Sequence, residues 1–94
     1  MSLVLQGPHG TITVPESVLV QIAAQAAERV EGVRVRRRRS VDVETRAVKL
    51  EVAAERGGDT LAERGERVQV VVADALKTAA GLDVTVDVFF EELE

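Results

Sequence analysis

The stretch Val41-Asp42-Val43-Glu44-Thr45-Arg46-Ala47-Val48-Lys49-Leu50-Glu51-Val52-Ala53-Ala54 decides the fold of this chain. Its second half alternates: Val48, Leu50, Val52 and Ala54 share one face, and Lys49, Glu51 and Glu55 share the other. A period of two marks a strand with one buried side. Val41 and Val43 repeat the pattern in the first half. Folding the two halves about Thr45-Arg46 sets Val43 opposite Val48 and Val41 opposite Leu50. It also sets Asp42 against Lys49 and Arg36 against Glu55, so both faces gain favourable cross-strand pairs. Thr-Arg is not a preferred tight-turn pair, which leaves room for a longer loop. The stretch reads as a β-hairpin.

Just upstream, Arg37 and Arg39 share the parity of Val33, Val35, Val41 and Val43. A core-facing strand does not bury two unpaired arginines. The strand therefore bulges near Ser40, or its middle projects past the core.

A helix is expected on each side of this hairpin. Before it, Pro15 suits a first helical turn and Glu16 adds a favourable negative charge there. Val18, Leu19, Ile22, Ala23, Ala26, Ala27 and Val30 then recur at helical spacing, with Ser17, Gln21, Ala24, Gln25, Glu28 and Glu31 opposite. Gly32 is the expected stop. After it, Arg56-Gly57-Gly58-Asp59 makes a turn, with Asp59 or Thr60 as the cap. Leu61, Gly65, Val68, Val72, Ala75, Leu76 and Ala79 follow at helical spacing. The valines at 68, 70, 71 and 72 favour strands locally, but the length of the stripe and Gly81 as a stop signal decide for helix.

Further out, Thr11 to Val14 alternates as a short strand, and Val84, Val86, Val88 and Phe90 alternate as a last one. Gly7-Pro8-His9-Gly10 is a turn, and residues 1–9 read as a loose lead-in to a single domain over 10–94. The order is β-α-β-β-α-β. Two helices on one face of a four-stranded, mainly antiparallel sheet bury both stripes at once, giving an α+β two-layer sandwich. A ferredoxin-like strand order is the default for this sequence of elements.

The 94 residues are 46% apolar and 30% charged, with two Phe, no Tyr and no Trp, so the core is aliphatic. No cysteine is present, which removes disulfides and thiolate chemistry and favours a reducing compartment. No apolar run approaches the ~20 residues that span a bilayer, and Ser2-Leu3-Val4-Leu5 is too short for a signal-peptide core. The expected location is cytoplasmic. The net charge is −4, but Arg34 and Arg36 to Arg39 form a basic block while Asp83, Asp87, Glu91, Glu92 and Glu94 make the C-terminal segment acidic. Such polarity suits head-to-tail or intramolecular complementarity.

Nothing in the chain reads as catalytic equipment. His9, the only histidine, sits in a turn, and no serine lies in a nucleophile elbow. Glu91-Glu92 reads as a solvated acidic tail rather than an acid/base pair. Zinc and calcium signatures are missing, and Gly57-Gly58-Asp59-Thr60 lacks the Lys of a phosphate loop. No enzyme activity, cofactor or metal is expected. An RNA-binding sheet needs stacking aromatics, whereas the outward positions here are Thr11, Thr13, Lys49, Glu51, Asp83, Thr85 and Asp87, with Phe89 alone offering a ring. The arginine block could hold phosphates, or it is a charged edge protected from pairing.

Partner contacts are sought first on the second helix. Gln69 falls inside its apolar stripe and needs hydrogen-bond partners, while Val70 and Val71 point away. If the two valines join Phe89 or Leu93 in a patch, they mark an interface. Arg36 and Arg38 on the Arg34–Arg39 segment are the second choice.

Two blocks together resemble the alkaline-shock and general-stress family of bacterial envelope stress response proteins. The first is Gly10-Thr11-Ile12-Thr13-Val14, Val18, Ile22-Ala23, Ala26-Ala27 and Val30-Glu31-Gly32-Val33. The second is Val68-Gln69, Val72, Gly81-Leu82, Val84, Val86 and Val88. The Arg36–Arg39 run and Gly65 depart from the pattern. The resemblance implies a cytoplasmic, non-enzymatic scaffold or adaptor that forms homo-oligomers and docks on a small membrane-anchoring protein. A nucleic-acid accessory protein using the Arg34–Arg39 basic segment is the alternative, although the net negative charge and the lack of stacking aromatics argue against nucleic-acid binding.

Overall fold

The computed structural model describes residues 2–37 and 40–93. The central hairpin forms in the expected register. Strand β4, Val41–Val43, runs antiparallel to β5, Ala47–Ala54, with Val41 opposite Leu50, Asp42 opposite Lys49 and Val43 opposite Val48. The Glu44 amide donates to the Ala47 carbonyl at 2.8 Å, so the chain does reverse at Thr45-Arg46. Val48, Leu50 and Val52 are fully buried while Lys49 and Glu51 are exposed.

The strand before the hairpin is broken, as its arginines require. Strand β3, Val33–Arg34, pairs with Ala54 and Ala53, and Val35 to Arg37 lie outside the ladder. A short turn precedes β4, with the Ser40 amide on the Arg37 carbonyl at 3.0 Å. One expected pair differs. Glu55 lies beside Gly32 in the ladder, its amide on the Gly32 carbonyl at 2.9 Å, and not opposite Arg36, and its carboxylate pairs with Arg34 at 3.5 Å.

Two helices cover one face of this sheet. Helix α1, Glu16–Glu28, starts directly behind Pro15 and buries Leu19, Val20, Ala23, Ala24, Ala26 and Ala27. Its buried arc is turned relative to the expected stripe: Ala24 is inside and Val18 is 43% exposed. The helix lies against strands as well as against its sister helix, so it buries more than one stripe. Gly32 is not its cap. The helix ends at Arg29, and Gly32, at φ 79°, makes the turn into β3.

Helix α2, Leu61–Ala80, is capped at both ends as expected. The Thr60 hydroxyl accepts from the Glu63 amide at 3.2 Å. Gly81 closes the helix at φ 70°, with Leu82 bonded back to Leu76 in a Schellman arrangement. Val68, Val72 and Leu76 are fully buried, so tertiary packing overrides the strand preference of the valine run.

Strand β6, Thr85–Leu93, runs parallel to β5 along its other edge, with a bulge after Val52. A strand has two edges, so β3 and β4 share one side of β5 and β6 takes the other. The α+β class and the mainly antiparallel sheet under two helices are as read. The strand order is not ferredoxin-like, because β5 and β6 pair directly and leave no place between them.

The first strand is the main departure. Strand β2, Gly10–Pro15, pairs with β1, Ser2–Gly7, in a separate two-stranded hairpin. Residues 2–7 are thus a strand where a loose lead-in is expected, and Pro8-His9 is its two-residue turn. The physical reason is connection length: Pro15 ends β2 and α1 begins at Glu16, so no loop is available to lay the helix back over a sheet containing β2. Leu5 and Val14 pack on the core, whereas Ile12, nearer the turn, is 51% exposed. The molecule is accordingly elongated, 49 × 21 × 16 Å. No helix among the described residues is long and apolar enough to cross a membrane.

Candidate partner-binding surface

At 3.6 residues per turn, burying Val68, Val72 and Leu76 turns the side of α2 centred on Val70 outward. Val70 is 66% exposed, the most exposed large apolar residue among those described. Val71, half-buried, lies in a groove between the helices with Ile22 and Gln25 of α1, Arg29 at its C-terminal end, and Asp74 of α2. A second depression, toward the N-terminus of α2, is lined by Glu31, Glu63, Glu66 and Arg67 around the same two valines. Val70 also borders a third, with Lys77, Leu82 and Val84.

Gln69 projects toward β6 instead of into the core. Its Nε2 donates to the Val86 carbonyl at 3.0 Å, which is the strand-backbone partner anticipated for it, but the residue is exposed. The acceptor lies on the outer edge of β6, since the Thr85 amide bonds inward to Arg46 and successive residues alternate. Gln69 thereby occupies part of an otherwise open strand edge.

Phe89 does not join the valines. Val86, Val88 and Phe90 face the helices, with the Phe90 ring beside Gly65, so Phe89 projects from the opposite face at 55% exposure. Its neighbours in register there are charged: Glu51 opposite, and Asp42, Lys49 and Asp87 in one row across three strands. Leu93 contributes its backbone to β6.

The basic segment is largely occupied by the chain's own acids. Arg34 pairs with Glu55 at 3.5 Å and Arg37 with Glu91 at 3.7 Å. The second pair joins segments on opposite sides of β5, so it passes across that strand close to Ala53, which is 1% exposed. Glu91 is the extra residue of the β6 bulge, between Phe90 opposite Val52 and Glu92 opposite Ala53; the residue is exposed, but its ion-paired side chain is only 17% so. Arg36 is exposed and also engaged. Arg38 lies outside the described residues.

Sequence reading missed Arg64. It lies 5% exposed in α2 and is the buried charged residue among those described. Nη1 donates to the Glu55 carbonyl and Nη2 to the Gly57 carbonyl, tying the turn before α2 to the helix. Its position four residues before Val68, on the apolar stripe, is the signal that could have revealed it. Asp59 is held by Arg67, and the hydrogen bond and charge of Asp59 push the Arg67 pKa up. His9 stands exposed in the β1–β2 turn. Among the described residues no three His, Asp or Glu converge as a metal site.

No protein-family model, curated protein or solved structure matches this chain.

Proposed function

We propose that this chain is a non-enzymatic scaffold or adaptor that acts by binding other proteins, itself included, through the outer side of α2. The observation that carries this reading is Val70, a large apolar side chain 66% exposed in mid-helix, with Val71 and Ile22 in the groove beside it. An apolar crest rimmed by charged groups is the form a docking surface takes. The family resemblance of the sequence adds the setting: a bacterial cytoplasmic protein of the envelope stress response, held near the membrane by a small membrane-anchoring partner.

Light scattering across a dilution series tests the reading. The expected result is a molecular mass that rises with concentration, together with capture of a membrane protein from native extract. A strict monomer at high concentration that captures no membrane protein defeats it.

A nucleic-acid accessory role is the second reading, and it rests on the Arg34–Arg39 segment. The ion pairs of Arg34 and Arg37 with Glu55 and Glu91 compete with phosphate for those side chains. Fluorescence anisotropy at two salt concentrations separates the readings: tight binding that weakens steeply with salt, and is lost when Arg36 to Arg39 become Ser, favours nucleic acid.

A further inference from the structure

Glu66, Arg67, Val70, Ala73, Asp74 and Lys77 occupy one side of α2, and all but half-buried Ala73 are exposed. Successive residues advance by about 100° around a helix, which sorts these charges into two flanks about Val70. Arg67 and Asp74 fall on the flank toward α1, where Asp74 lines the inter-helix groove. Glu66, Ala73 and Lys77 fall on the flank toward β6, where Lys77 reaches Asp83 at 3.0 Å.

This pattern is self-complementary under one symmetry operation. Two copies of α2 packed antiparallel, with a two-fold axis passing beside the two Val70 side chains, keep each flank against the same flank of the other copy. Residues a given number before Val70 then meet residues a similar number after it. On one flank Arg67 meets Asp74 of the second copy, and Asp74 meets its Arg67. On the other, Glu66 meets Ala73 and Lys77. The Arg67–Asp74 and Glu66–Lys77 pairs are of opposite sign, and Glu66 and Asp74, which would repel, fall on different flanks; Glu63, exposed near the midline, faces Lys77 of the second copy with Asp74 of that copy beside it. An isologous interface demands this property, in which a surface is its own complement.

Resting on the self-association proposed above, we infer that the second copy docks through α2, antiparallel and centred on Val70, with Arg67–Asp74 pairs on one side and Glu66–Lys77 contacts on the other. The contacts that Arg67 and Lys77 make with Asp59 and Asp83 within one chain are exposed and weak enough to be exchanged. The apolar crest is small, so the dimer is of the weak, reversible kind.

The test is a charge-swap pair read by sedimentation equilibrium, with circular dichroism to verify folding. Arg67→Glu alone and Asp74→Arg alone each place two like-charge pairs in the homodimer, and each is expected to weaken association about tenfold. An equimolar mixture of the two single variants restores both pairs with opposite sign, so it is expected to associate like the wild-type chain. Val70→Arg is expected to abolish association while leaving the melting curve in place. If the wild-type chain associates but the single variants do so equally well, or the mixture fails to recover, this geometry is overturned and self-association through another surface stands. If the wild-type chain remains monomeric throughout, both are overturned.

Discussion

Arg64 and Gly32 compete for one small space: a Cβ built on Gly32 would stand 3.2 Å from Cζ of Arg64 and 3.3 Å from its Nη1. The glycine, in the turn between α1 and β3, and the arginine, on the first turns of α2, thus join the two helices at one end of the sheet. Gly32 also sits at φ 79°, a region that residues with a side chain rarely adopt. Arg64 donates to the carbonyls of Glu55 and Gly57, and its guanidinium lies close to a second glycine, since a Cβ on Gly58 would stand 3.1 Å from Nη2. Gly32 therefore has a packing reason as well as a turn reason.

Gly32→Ala is expected to cost about 1–3 kcal/mol, combining left-handed backbone strain with displacement of the guanidinium. Urea denaturation followed by circular dichroism measures it. A loss below about half a kcal/mol would mean that the turn relaxes freely and that the contact with Arg64 has no energetic weight.

Arg64→Lys keeps the charge and removes the fork. An ammonium on a flexible stem cannot serve two carbonyls on different residues as the fork does. The expected loss is about 2 kcal/mol, from charge-assisted hydrogen bonds that the lysine does not replace. Denaturation of the Lys and Ala variants side by side checks this: the lysine should recover less than half of what alanine loses.

Gly65→Ala is expected to stabilise the protein by about 0.5–1 kcal/mol. The glycine stands inside α2 with helical backbone, where alanine is the better helix former. The added methyl would meet the Phe90 ring at 3.6 Å, an ordinary van der Waals contact. A raised thermal midpoint is the readout, and a lowered one would show that the ring needs the glycine.

Gln69→Ala should cost about 1 kcal/mol, the value of one hydrogen bond to a strand carbonyl. The same change loosens β6 from α2, so hydrogen exchange at the inward-pointing Asp87 and Phe89 amides should quicken relative to those of β5. Unchanged exchange on β6 would show that Gln69 does not hold the strand.

Much of this structure was legible beforehand, and the particular elements show why. The hairpin register at Val41–Leu50 and Val43–Val48 follows from two alternating segments and a short reversal. Both ends of α2 follow from Thr60 and Gly81. Val70 and Val71 were found because periodicity leaves them off the stripe. Phe89 could be assigned to a strand, yet its separation from Val70 by the whole thickness of the domain depends on which face α2 covers. Arg64 sits on the apolar stripe by spacing, but burial of its guanidinium requires carbonyls from a turn and a glycine after α1 to converge on it.

The amino-acid order by itself determined the helices, the strands of the central hairpin and the two caps of α2, since each is set by residues within a few positions of one another. Tertiary structure decided the rest: that β2 pairs with β1 and not with the main sheet, that Arg37 crosses β5 to reach Glu91, and that α2 turns Val70 outward between charged flanks. Those outcomes depend on connection lengths and on which distant edges and faces meet, and local periodicity carries no information about either.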